Sequence, residues 1–267
     1  MTANPAGASL RRPRHHTTLP APVTAHEPTG AGWALVVERR AIRHADPAAV
    51  TAALASAAKI TPSCAVTVDS DSAPLRSLYN NPETLADAIR RVGEHYETTE
   101  ARVAASTLQF VIAVRLWSVA LGTLAAGGVV PDLHQVRYRL GRDASVQLSL
   151  PEPGGWTTTG DPVPLLLRSV VEDHLTPLHS GLHAVVKVAD GLLWGNAAAA
   201  VRSATRLQPA AFGDLGDRLL TTPALRDRLT PDGTRRSCCL FYRTPTGHTC
   251  RTCPLADATV TKPKDGH

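Results

Sequence analysis

Apolar positions along the middle of this chain recur mostly at helical spacing. Asp46-Pro47 places an N-cap residue before a proline at the first helical position, and an alanine-rich run to about Lys59 follows. Asn81-Pro82-Glu83 repeats the device and opens a helix whose apolar stripe is Leu85, Ile89, Val92 and Tyr96, spaced four, three and four apart. A long helix is predicted from about Glu100 to Ala126, stopped by Pro131-Asp132. Further helices are predicted over Pro164–Leu175 and Leu178–Lys187, broken at Pro177, and over Leu192–Leu207, opened by Asp190-Gly191. Thr222-Pro223 is expected to start a short final helix, and Trp33–His44 is also expected to be helical. Alternation switches to period two in Val136–Leu140 and Val146–Leu150, which flank Gly141-Arg142-Asp143 and read as a β-hairpin. Cys64–Asp69 alternates as well and is read as a short strand. The fold class expected is α+β, mainly helical, with a small antiparallel β-hairpin and a cysteine-rich C-terminal segment.

The stretch Val111–Val130 needs a separate decision, because twenty residues with the single charge Arg115 are long enough to span a bilayer. Arg115 and the glycines 122, 127 and 128 argue for a buried core helix instead. Composition agrees: of 267 residues, 43% are hydrophobic and 19% charged, as in a globular protein. Aromatics are only 4%, so Ala, Leu and Val must build the core. The net charge of +5 is mild, and no dense Lys/Arg run suggests a nucleic-acid-binding arm. Residues 1–30, rich in Thr, Pro, Ala and His, read as a disordered tail, and 257–267 as a second, short tail. Arg11-Arg12 is followed by Pro13-Arg14-His15-His16 rather than an apolar run, so export is not expected and the location expected is cytoplasmic. Between the tails, 31–234 is expected to form the helical domain and 235–256 the cysteine segment.

That segment carries the chemistry. Cys238, Cys239, Cys250 and Cys253 place four thiols within sixteen residues, and the only other cysteine is Cys64. A lone thiol such as Cys64 is more often a small buried hydrophobe than a nucleophile. Cys250 and Cys253 form a C-x-x-C bite for a metal. Adjacent cysteines make a poor zinc knuckle, because neighbouring side chains diverge unless the backbone turns sharply. A two-iron cluster spreads its ligand positions over two metals and accommodates such a pair more easily. Disulfides are the third option, seldom needed in a reducing cytosol. The residues alone leave all three open. Arg235, Arg236, Arg243 and Arg251 surround the thiols, with Asp232 the one acid nearby. These cations would raise the potential of an anionic centre or attract anionic partners, or simply keep the surface soluble.

The pattern C-C-x10-C-x2-C, followed at once by Pro254-Leu255, resembles the C-terminal signature of the ferric-siderophore reductase (FhuF-like) family. Ala-Val-Arg115-Leu-Trp117, Gly128-Val-Val-Pro-Asp132 and Leu193-Trp194-Gly195-Asn196 are similar, less specifically, to its helical part. The resemblance implies a [2Fe-2S] cluster held by Cys238, Cys239, Cys250 and Cys253. It also implies a ferric siderophore as substrate and an external electron donor, either a ferredoxin or a flavoprotein reductase. A peripheral position at the inner membrane face stays open. No P-loop, G-x-G-x-x-G or serine elbow is present, so electrons must come from a partner. Arg115, Trp194, Asn196 and Arg243 are the candidates for substrate contact. The plainer roles are a buried ion pair or snorkelling for Arg115, core packing for Trp194 and a backbone bond for Asn196. His174, His179 and His183 have metal-like spacing, but Pro177 lies among them and no carboxylate pattern completes a site. Two rival functions remain: an iron–sulfur electron carrier or sensor for another pathway, and a zinc-stabilised interaction module.

Overall fold

The computed structural model describes residues 42–206, 209–212, 214–245 and 248–256. The tails, His15, His16 and Gly247 lie outside the described residues, as does all of the Trp33–His44 segment before Ile42.

In chain order the elements are strand β1 (Ile42–His44), helix α1 (Pro47–Ala58), strand β2 (Ala73–Pro74), helix α2 (Leu75–Asn80), helix α3 (Pro82–His95) and helix α4 (Ala101–Gly127). Strands β3 (Val130–Pro131), β4 (Arg137–Leu140), β5 (Val146–Ser149) and β6 (Gly155–Thr158) follow. Helix α5 (Val163–Leu166) runs into a π-helical segment (Leu167–Leu175) and helix α6 (Thr176–Val185). Then come α7 (Asp190–Thr205), α8 (Pro209–Phe212) and α9 (Leu215–Leu220). The protein is α+β and mainly helical.

Both Asx-Pro starts are built as their residues dictate. Asp46 Oδ1 accepts from the Ala48 N–H at 2.7 Å, and Asn81 Oδ1 from those of Glu83 and Thr84 at 2.9 and 3.1 Å. Helix α4 is the axis of the core. Its buried residues run from Val103 to Thr123, and it packs against α1, α3 and α7. It is long and apolar enough to cross a membrane, yet here it is the buried core helix. Gly128, in the left-handed region at φ +67°, ends it with an N–H to Leu124 O at 2.8 Å, so the stop comes three residues before Pro131.

The strands form two antiparallel three-stranded sheets, ordered β1-β6-β3 and β2-β4-β5. The expected hairpin is β4–β5, with Tyr138 opposite Leu148. Residues 42–44 are strand, not helix, because they pair with Trp156–Thr158. Cys64–Asp69 is not a strand: Pro62–Cys64 is a single 3-10 turn, and only Thr67 makes an isolated bridge, to Ser149. Thr222-Pro223 opens turns rather than a helix, and the last α-helix among the described residues is α9, just upstream.

Pro177 does not break its helix. The chain stays helical from Val163 to Val185, and the strain is absorbed by the wider π turn ahead of the proline, where the Thr176 N–H bonds Val171 O five residues back. The Asp173 carbonyl, which residue 177 would address in a regular α-helix, accepts instead from the Tyr79 hydroxyl at 3.2 Å. Tyr79 Oη also lies 3.0 Å from His174 Nδ1, and His174 Nε2 lies 2.7 Å from Leu133 O. His179 Nε2 lies 3.0 Å from Gln109 Nε2 of α4.

Two expectations follow. A Cβ on Gly122 would lie 2.7 Å from Cys64 Sγ, so α4 approaches the Cys64 turn only because position 122 has no side chain. Gly122→Val should destabilise by about 1–3 kcal/mol through overpacking, read as a lower urea midpoint with an unchanged slope. The pH dependence comes from His174 and His179, whose pKa values burial lowers to about 4. Unfolded, both would protonate near the ordinary value of about 6.5. Their contribution is therefore complete above that value and is lost as pH falls toward 4, because the unfolded chain takes up protons that the folded one refuses. Urea titrations should show a loss of about 2 kcal/mol per histidine between pH 7 and 5, and His174→Gln should flatten that slope. Equal stability at the two pH values would contradict the assignment.

Candidate metal centre

Sharp turns hold the four cysteines. Leu240 sits in the left-handed region at φ +67°, a conformation that costs a leucine about 1–2 kcal/mol. It turns the chain directly after the adjacent cysteines and leads into the 3-10 turn Phe241–Arg243. The Leu240 N–H points back to Cys238 Sγ at 3.3 Å, and the Leu255 N–H to Cys253 Sγ at 3.4 Å. Each half of the motif thus carries the same N–H···S bond, two residues on from a cysteine. Cys239 Sγ lies 3.7 Å from Cys250 Sγ, which brings the two halves together.

All five cysteines are free thiols, so the disulfide alternative is not realised. Cys239 and Cys253 are buried, 8% and 5% exposed, whereas Cys238 and Cys250 are half-buried. Each half supplies one inner and one outer thiol. The Cys238 thiol is brought down to about 7, chiefly by a hydrogen bond with Cys239 and further by the Leu240 N–H. The Cys250 thiol is pushed up by its hydrogen bond with Cys239 and then by burial, with Arg235 opposing. Protons shared among close thiols are what a metal displaces on binding. Among the described residues no three His, Cys, Asp or Glu side chains converge as a single-ion site would require. An all-thiol quartet whose two halves meet through Cys239 and Cys250 fits a two-iron cluster, which takes four thiolates.

The segment is docked by buried polar contacts. Ser106 Oγ of α4 donates to Cys239 O at 2.7 Å. Asn196 of α7 donates to Ser106 O and Oγ at 3.1 Å each, and its Oδ1 accepts from Arg235 Nη1. Arg235 Nε donates to Thr252 Oγ1 at 2.9 Å, and its backbone N–H to Thr252 O at 2.9 Å. Ser237 Oγ donates to Gly191 O at 2.8 Å, at the start of α7. On the outer side, Arg243 Nε donates to Glu100 Oε1 at 2.7 Å and holds that carboxyl below its ordinary pKa. The Tyr96 and Phe241 rings meet edge-on, 5.2 Å apart.

Residues 235–255 match the FhuF 2Fe-2S C-terminal domain. The match supports the FhuF-like reading of this segment and indicates a [2Fe-2S] cluster, with Cys238, Cys239, Cys250 and Cys253 as the thiols available to hold it. A comparison with curated proteins gives no match.

Of the four expected substrate contacts, Asn196 and Arg243 stand with the quartet, and both are engaged. Asn196 is fully buried between Ser106 and Arg235, and Arg243 is clipped to Glu100. Trp194 packs edge-on against His179, with centroids 4.5 Å apart. Arg115 lies about 13 Å along α4 from Ser106. It donates to Pro62 O at 2.7 Å and Ala65 O at 2.5 Å, straddling the buried Cys64. Ser106 and Thr252 carry no motif. Their one signal in the sequence is a polar residue inside an apolar helical stripe, for Ser106, and a place between ligands, for Thr252. Cys250→Ser should abolish or strongly weaken cluster binding, measured as iron and sulfide per chain and as visible absorbance. Full cluster content in that variant would remove Cys250 from the ligand set.

Proposed function

We propose that the protein is a cytoplasmic ferric-siderophore reductase. The observation that carries this reading is the FhuF-type cysteine quartet, two of whose thiols reach the surface. When bound, a [2Fe-2S] cluster supplies one-electron transfer. The overall reaction moves one electron from an external donor, a ferredoxin or a flavoprotein reductase, to Fe³⁺ held by siderophore oxygens. Those oxygens hold hard Fe³⁺ tightly and the softer Fe²⁺ weakly, so reduction releases the iron as Fe²⁺. No proton transfer or covalent intermediate is needed.

The chain's own residues serve this reaction by position and charge. Cys238 and Cys250 are only half-buried, which shortens the distance to anything docked there. Exposed Arg236 and Arg251 beside them favour an anionic chelate or an acidic donor. The helical body keeps Cys239 and Cys253 away from water.

The test is anaerobic. Protein reduced with dithionite and freed of excess reductant is mixed with ferric siderophores of hydroxamate, catecholate and carboxylate type, with a ferrous chelator present. At least one class should restore the oxidised visible spectrum while an equivalent of Fe²⁺ is trapped. Protein that stays reduced with every siderophore, but is reoxidised by a protein acceptor, would replace this reading with that of an electron carrier. Colourless protein containing zinc would replace it with a structural module.

A further inference from the structure

Arg235 is 2% exposed, which makes it the most deeply buried arginine among the described residues. Taking a guanidinium out of water costs several kcal/mol unless it is matched. Its partners are all neutral: Asn196 Oδ1, Thr252 Oγ1 and the face of Phe110, whose centroid lies 4.8 Å from Cζ. It forms no ion pair with a carboxylate among the described residues. The other arginines of the segment differ. Arg236 and Arg251 are exposed, and Arg243 is exposed and paired with Glu100. The thiols stand close by as candidates for a matching negative charge, since Thr252 lies between Cys250 and Cys253 and Arg235 holds it through both backbone and side chain.

We propose that Arg235 is the buried counter-charge of the metal centre and a positioning residue that sets its reduction potential. A four-thiolate two-iron centre carries two negative charges when oxidised and three when reduced. A fixed cation therefore favours the reduced state, and it does so more strongly where water and salt do not screen it. Hydrogen bonds to α7 and to Thr252 fix the guanidinium in place, so its effect needs no rearrangement when the charge changes. The inference rests on the cluster and not on the identity of the substrate.

The experiment is a dye-mediated redox titration of cluster-loaded protein, followed by visible absorbance, for the native chain, Arg235→Met, Arg235→Lys and Arg251→Gln. Arg235→Met should disfavour reduction at least tenfold, about 59 mV to the negative for a one-electron couple. Arg235→Lys keeps the charge and should keep most of the native potential. The Arg235→Met shift should persist in about 1 M salt, where any shift from the exposed Arg251→Gln fades. A midpoint in Arg235→Met equal to the native one overturns the proposal. Should a variant fail to hold the cluster, the pair still decides. Loss from the Met variant alone supports a required charge. Loss from both overturns it, because the fork geometry and not the charge is then what matters. The midpoint is read without any siderophore, so failure of the reductase reading leaves this result standing.

Discussion

A short run of buried polar contacts between α4, α7 and Arg235 fixes where the cysteine segment sits. Ser106 and Asn196 are fully buried in the seam between the two helices, where Gln109 also donates to Leu193 O. A buried polar group left without a partner costs about 1–3 kcal/mol. These two are fully matched only with the segment in place, through the carbonyl of Cys239 and the guanidinium of Arg235. The dependence runs both ways. Some twenty residues with four cysteines have no hydrophobic core of their own, so their geometry is borrowed from the helical body. The matched family segment, 235–255, is thus not an independent module in this chain, although its motif is complete within it.

The same docking explains the uneven exposure of the thiols. Cys239 is held inward by its carbonyl bond to α4, while its half-buried neighbour Cys238 accepts at Sγ from the Leu240 N–H. Cys253 is buried beneath the Thr252 clasp, and Cys250, at the outer end of the bite, is not. The centre is neither sealed nor loose. It presents one thiol of each pair to solvent and keeps the other pair in a low-dielectric environment, where nearby fixed charge acts strongly. Such an arrangement suits a group that exchanges charge with docked molecules while staying rigid itself.

What the sequence made legible is what local rules decide. The caps at Asp46 and Asn81, the long helix and the β4–β5 hairpin each follow from residues a few positions apart. The remaining strands were not legible, because two to four residues are too few to show a period and their pairing is non-local, as between Ile42 and Thr158. Pro177 misled because its local penalty is real, but the compensation comes from Tyr79, remote in sequence. The cysteine quartet was readable because it is contiguous. Its supports were not, since Ser106 meets Cys239 and Asn196 meets Arg235 only in the fold. Asn196 stood out from its surroundings as a polar residue in an alanine-rich helix. Its sequence could not say whether it faces a ligand or another side chain.

Arg115 and Arg235 show how little a charge in the sequence says before its partners are known. Each comes near a cysteine in the fold, and each looks in the sequence like a contact for an anion. Arg115 donates to the carbonyls of Pro62 and Ala65, and burial holds its pKa below the ordinary arginine value. Its guanidinium is spent on fixing a turn, and the neighbouring Cys64 is a buried thiol pressed against Gly122. Arg235 has only neutral partners, in the one region where four thiols can become four negative charges together. The partners of both guanidiniums are neutral, so neither charge is compensated by them; what differs is the neighbourhood, one buried thiol at Arg115 and four thiols near Arg235. In a buried site the uncompensated charge of Arg235 acts on whatever those thiols hold.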